Sequence, residues 1–164
     1  MKEPETFIIA EAGVNHNGSV AAAKELIDIA ADAGADAVKF QTFHAERLVG
    51  RRAPKARYQQ ATTDPEETQF DMIKRLELDE EAHEDLAAYA EAKQIEFLSS
   101  PFDLESVEFL VHRLNIRRLK IPSGEITNGP LQLKAALSGR PLIVSTGMCT
   151  LGDVEAALGV IAFG

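Results

Sequence analysis

The chain has 164 residues, 45% of them hydrophobic and 26% charged, the mix of an ordinary soluble domain long enough to bury a sizeable core. A formal net charge of −9 argues against nucleic acid or an anionic membrane as partner, and it requires any anion site to be built locally from a few cations. A single cysteine, Cys149, excludes an intramolecular disulfide framework, and no apolar run approaches a membrane span or a signal-peptide core, so a cytoplasmic protein is expected.

Phe7 to Ala12 reads as a short strand with Glu11 near its end. The turn Gly13-Val-Asn-His-Asn-Gly18 follows, rich in residues that tolerate special backbone angles. Ser19 is placed to cap a helix from Val20 to Ala33, with Ala23, Leu26, Ile27 and Ala30 on one face. Gly34 stands at the C-cap, and a second strand runs from Asp36 to Gln41. Strand, helix, strand in this order predicts a parallel pair.

Thr42 to Leu78 is a longer excursion carrying Arg47, Arg51, Arg52, Lys55 and Arg57, with a short helix near Thr68 to Leu76. Connections this long are often substrate loops or lids. Asp79 caps an amphipathic helix from Glu80 to Lys93. A third strand, Ile95 to Ser100, is stopped by Pro101, and a helix spans Leu104 to Arg113. The fourth strand is Arg118 to Ile121, followed by a helix from Leu131 to Leu137. The fifth strand is Pro141 to Thr146, and a last helix runs from Asp153 to Phe163. Five β/α units fit a five-stranded doubly wound sheet. They also fit part of an eight-stranded barrel, which needs about 250 residues.

A strand buried on both faces should be apolar throughout. Lys39 and Lys120 break that pattern, and burying an unpaired ammonium is costly. The other strand-like runs also end in polar residues: Glu11, Ser99-Ser100 and Ser145-Thr146. In both architectures the carboxyl ends of the strands form the site. Two lysines with hydroxyls from Ser99, Ser100, Ser123, Ser145 and Thr146 therefore predict a pocket for a phosphate or carboxylate. The competing reading makes each lysine half of a structural ion pair with Glu11 or Glu125. Those two carboxylates suit sugar hydroxyls or proton transfer equally well.

His16 suits holding its turn as well as touching a ligand, and His83 and His112 are expected in solvent on their helices. Cys149 reads as a small packing residue. No His, Cys, Asp and Glu cluster has metal-ligand spacing, and the glycine-rich phosphate loops of nucleotide folds are absent.

Five segments in order carry a resemblance. They are Phe7-Ile-Ile-Ala-Glu-Ala-Gly-Val-Asn-His-Asn-Gly18, Ala33-Gly-Ala-Asp-Ala-Val-Lys-Phe-Gln-Thr42, Phe97-Leu-Ser-Ser-Pro-Phe-Asp103, Leu119-Lys-Ile-Pro-Ser-Gly-Glu125 and Ile143-Val-Ser-Thr-Gly-Met148. Together they resemble the N-acetylneuraminate (sialic acid) synthase family, which includes the legionaminic and pseudaminic acid synthases. The resemblance covers essentially the whole chain. It implies an α/β fold, a (β/α)8 TIM-barrel type, of which residues 1–164 would be about the first five β/α units.

It also implies condensation of phosphoenolpyruvate with an N-acetylmannosamine-like sugar, giving a nine-carbon 2-keto acid and phosphate. Lys39, Ser100, Lys120, Ser123 and Ser145 resemble the residues that hold phosphoenolpyruvate. Glu11 and Glu125 resemble the carboxylates that hold the sugar and move protons. Ser100 stands where threonine is more usual, and Pro122 where a small residue is common.

The family further implies a divalent metal, Mn2+ or Mg2+, with ligands on later strands rather than in this chain. It implies a small C-terminal antifreeze-like domain and a homo-oligomer. On this reading the chain is an N-terminal part that is inactive or nearly so alone, with open edges that drive self-association or poor solubility. Two alternatives stay open. One is a non-catalytic part-barrel that binds anions or serves assembly. The other is a phosphoenolpyruvate aldolase for another sugar class, which a second phosphate pocket would favour. Sugar choice is expected to lie in the Thr42 to Leu78 excursion.

Overall fold

Side-chain caps set where most of the helices begin. In a computed structural model, which describes residues 6–51, 53 and 67–164, Ser19 accepts the amide of Ala22 and starts α1 (Val20–Asp32). Thr68 accepts from Asp71 before α3 (Gln69–Leu76), and Asp79 accepts from Ala82 before α4 (Glu80–Ala92). Asp103 accepts from Ser106 before α5 (Leu104–Glu108), and Asn128 accepts from Leu131 early in α6 (Gly129–Leu137). Thr150 and Asp153 form a reciprocal capping box at α7 (Leu151–Phe163). Each such bond satisfies an amide that the helix itself leaves unpaired.

The strands are β1 (Ile9–Gly13), β2 (Ala37–Thr42), β3 (Glu96–Pro101), β4 (Leu119–Ile121) and β5 (Leu142–Val144). β1, β2 and β3 form one parallel sheet in that order, and β4 pairs with β5 in parallel. β4 packs beside β3, so the five strands follow one another in chain order.

Alternation along the strands separates two faces. Val38, Phe40, Phe97, Leu119 and Ile121 face the helices and join Ile27, Leu86, Ala90, Leu110 and Leu131 in one core. Lys39 lies opposite Glu11 and Leu98, on the other face. Helices on a single face of a parallel sheet make a barrel wall. A doubly wound sheet would carry helices on both. The fold is α/β, a partial barrel of the TIM type.

Several boundaries depart from expectation. β3 runs through Pro101, which takes its place opposite Thr42 without donating, while the next amide, Phe102, bonds the Thr42 carbonyl at 3.1 Å. The helix after Leu104 loosens into a π turn over Phe109–Arg113. A four-residue helix, α2 (Ala45–Leu48), follows β2. Arg52, Lys55 and Arg57 lie outside the described residues. Among the described residues no helix is long and apolar enough to cross a membrane.

Candidate functional site

The site begins with an irregularity in β1. Its register against β2 slips between Glu11 and Gly13, and Gly13 takes φ +56°, a conformation that L residues adopt only at a cost. A Cβ there would stand 3.1 Å from Glu11 Oε1 and 3.7 Å from Gln41 Nε2. Gly13 thus gives the turn its shape and leaves room for two polar side chains.

Glu11 pairs with Lys39, Oε1 to Nζ at 2.8 Å. The two ends of this bridge differ: the lysine side chain is 8% exposed and the carboxylate 60%. Half of the structural ion-pair reading therefore holds. The other half does not. Among the described residues Lys120 has no carboxylate within bridging distance, and its Nζ donates to the carbonyl of Ile121 at 3.2 Å. Burial lowers its pKa below the usual lysine value. The nearby Lys39 lowers it further, and Glu11 only partly offsets the two. Two ammonium groups thus share one carboxylate.

Ser100 lies opposite Gln41, on the strand pair that carries Lys39. It is 1% exposed, and among the described residues its Oγ has no hydrogen-bond partner. An orphaned buried hydroxyl costs about 1–3 kcal/mol and calls for an explanation. A ligand oxygen supplies one.

Ser123, Ser145 and Glu125 stand on the neighbouring carboxyl ends. Ser123 opens a 3-10 turn, Ser123–Glu125, and borders a hollow of about 240 Å³ shared with Thr127, Gly147, Cys149 and Asp153. The Ser145 amide donates to the Ile121 carbonyl at 3.0 Å, holding the end of β5 beside β4. Glu125 accepts from Asn128 Nδ2 at 2.7 Å, and its carbonyl accepts from Gln132 Nε2 at 3.2 Å. Glu11, Lys39 and Lys120 therefore form one electrostatic group with Ser100 on its sheet face. Ser123, Ser145 and Glu125 form a rim with no hydrogen bond or ion pair to the lysines among the described residues.

Two expectations are corrected. Ser99 does not share the face of Lys39; its Oγ is bonded to Thr42 Oγ1 at 2.7 Å on the helix side. His83 is not in solvent; it is 1% exposed and bonded to Thr42. His16 holds its turn, accepting the Gly18 amide on Nδ1 at 3.0 Å. Burial, then the nearby His83, keeps its pKa below the usual histidine value. Gly18, at φ +80°, could carry no side chain, because a Cβ would run into the Arg75 carbonyl. Cys149 is half-exposed, its thiol turned to the Gly147 carbonyl.

The sequence reading missed Gln41. Its signal was present, since strand period two places Gln41 on the same face as Lys39. No group of three His, Cys, Asp or Glu side chains among the described residues could hold a metal ion. These residues alone do not fit a metal.

Comparison with known proteins places this arrangement. N,N'-diacetyllegionaminic acid synthase of Campylobacter jejuni is 53% identical over 157 residues, which cover 96% of this chain and 47% of that protein. The enzyme of the same name from Legionella pneumophila is 52% identical, with 94% of this chain and 43% of that protein covered. The solved N-acetylneuraminic acid synthetase of Leptospira borgpetersenii, in complex with citrate, superposes with a TM-score of 0.83 at 32% identity. The match covers 98% of this chain and 51% of that one. The chain thus spans about half the length of these relatives. The profile described as the NeuB family matches residues 26–163: the chain belongs to the NeuB family.

Proposed function

We propose that this chain supplies the phosphoenolpyruvate half of the active site of a sialic-acid-type synthase. Residues 1–164 are then the first part of its barrel. The reaction joins C3 of phosphoenolpyruvate to the aldehyde carbon of an N-acetylated amino sugar. Water adds at C2, phosphate leaves, and a nine-carbon 2-keto acid remains. The observation that carries the reading is the imbalance at the strand ends, where, among the described residues, Lys39 and Lys120 share only Glu11 beside the unpartnered Ser100 hydroxyl.

Phosphoenolpyruvate bears a phosphate and a carboxylate, and so matches two cationic poles with neutral donors set before reaction. Lys39 and Lys120 take the anionic groups, and Ser100, Ser123 and Ser145 donate to their oxygens. Glu11, exposed at one oxygen and tied to Lys39 at the other, accepts from sugar hydroxyls. Glu125, oriented by Asn128, stands as the second acceptor and proton carrier. Identities of 53% and 52% to two legionaminic acid synthases favour a diacetamido sugar. The family resemblance implies a divalent ion, Mn2+ or Mg2+, which would supply Lewis-acid chemistry; the described residues offer no ligand set for it. We place the enzyme in the cytoplasm as a homo-oligomer, as the family resemblance implies.

Calorimetric titration of the protein with phosphoenolpyruvate tests the reading. Wild type should bind, and Lys120→Ala should bind more weakly by about 30-fold or more, the loss expected when one partner of a desolvated charge contact is removed. Equal affinity in wild type and variant, or no binding by wild type, overturns it.

A further inference from the structure

His83 is a buried titratable group that this chemistry does not use. It lies on α4, between the sheet and the π turn, with the Phe97 and Phe109 rings edge-on at 6.4 and 6.0 Å. Nδ1–H donates to the Asp79 carbonyl at 2.8 Å. In the neutral ring Nε2 is then an acceptor, and the Thr42 hydroxyl donates to it at 3.0 Å. The Ser99 hydroxyl donates in turn to Thr42 Oγ1. The result is a one-way chain from β3 through β2 to the first turn of α4. The Gln41 carbonyl also lies 3.3 Å from Nε2. Burial is the largest influence on the ring and holds its pKa below the usual value. Asp79 and the Asp79 and Gln41 carbonyls pull the other way, and His44 adds to the lowering.

A leucine would fill this apolar niche without polar demands. The choice of a hydrogen-bonded histidine there points to geometry rather than packing. Thr42 and Ser99 sit on the helix side of the last turns of β2 and β3. Gln41 and Ser100, their chain neighbours, sit on the opposite face with Lys39.

We propose that His83 is a positioning residue for the anion site: by tying Thr42 and Ser99 to α4, it fixes the strand ends from which Lys39, Gln41 and Ser100 project. This rests on the phosphoenolpyruvate reading above.

Two isosteric variants test it. His83→Asn keeps a donor at the Nδ1 position and loses the reach to Thr42. His83→Gln places a polar atom near the Nε2 position and restores that reach. Calorimetry should show phosphoenolpyruvate affinity within about threefold of wild type for His83→Gln and at least about tenfold weaker for His83→Asn, since small misplacements of site groups are costly. Melting temperatures of the two should agree. Amide NMR signals of Gln41 and Ser100 should move in His83→Asn and hold in His83→Gln, with or without ligand. Equal affinities in the two variants, or unmoved Gln41 and Ser100 signals in His83→Asn, overturn the positioning role. Absence of binding by wild type and Lys120→Ala alike, with the amide signals behaving as expected, defeats the ligand assignment and leaves the mechanical link standing.

Discussion

The inner face of the sheet carries charge at both ends, and the two ends are built differently. At the amino end Arg118 meets Glu96 in a fork, Nε to Oε1 at 2.8 Å and Nη2 to Oε2 at 3.1 Å. Its guanidinium lies 4.2 Å over the Phe7 ring. One cation answers one anion, bidentate and stacked, and nothing is left over. At the carboxyl end, among the described residues, two lysines share one carboxylate and a buried hydroxyl has no partner. The amino end borders the more spacious hollow, about 660 Å³ among Phe7, Asp36, Glu96 and Arg117, against about 240 Å³ beside Ser123. Stoichiometry of charge, not volume, separates the two: on the proposed reading the balanced end serves stability and the unbalanced end takes the anion. Barrels divide their ends in the same way.

The largest expected effect breaks the balanced end. Arg118→Ala strands a Glu96 side chain that is 10% exposed and removes the stack on Phe7. Losing one partner of a buried pair typically costs 3–5 kcal/mol. The arginine is partly exposed, so a loss of about 3 kcal/mol is expected in urea denaturation. Phosphoenolpyruvate affinity should hold. Weakened binding at unchanged stability would reverse the assignment of the two ends.

The unbalanced end should show itself in pH. Lys120 has a lowered pKa in the folded chain, so the unfolded chain keeps this proton to higher pH. Stability of the unliganded protein therefore rises with pH between the lowered value and the ordinary lysine value. Anion binding runs the other way, because it needs the charged ammonium. Affinity for phosphoenolpyruvate should fall by about tenfold per pH unit once pH passes the lowered value, the slope of one proton lost. Lys120→Arg keeps its charge and should move that fall to higher pH. An unmoved fall in the arginine variant assigns the titration to another group.

How much of this was legible depends on distance along the chain. Ser19 and Asp79 announced their helices because a cap and its amide are three residues apart. Lys39 and Lys120 stand out in the sequence because a charge inside an apolar run is a local anomaly. His83 was not legible. Its partner Thr42 lies 41 residues away, and on a helix rich in charge a histidine reads as surface. Ser99 and Ser100 are adjacent and alike in sequence, yet one joins the helix layer and the other the face that carries Lys39. Only the register of β3 against β2 assigns them. The π turn at Phe109–Arg113 and the strand through Pro101 follow from tertiary contacts that no local pattern carries.

The smallest effect is also the sharpest, because it should change sign between two measurements. Ser100 buries a hydroxyl that no group among the described residues answers. Ser100→Ala removes the unpaired group and leaves the methylene packing in place, so the unliganded protein should gain about 1 kcal/mol in urea denaturation. The same change removes a donor to the anion, and a hydrogen bond to a charged group contributes about 1.5 kcal/mol or more, so affinity should drop by about tenfold. A residue kept for structure would lose stability, and an idle one would change neither quantity. Gain of stability with loss of binding is the signature of a polar group held out of partnership until its ligand arrives. If Ser100→Ala instead destabilises the unliganded protein, the hydroxyl already has a partner there, and the carboxyl end is more nearly balanced than its charges imply.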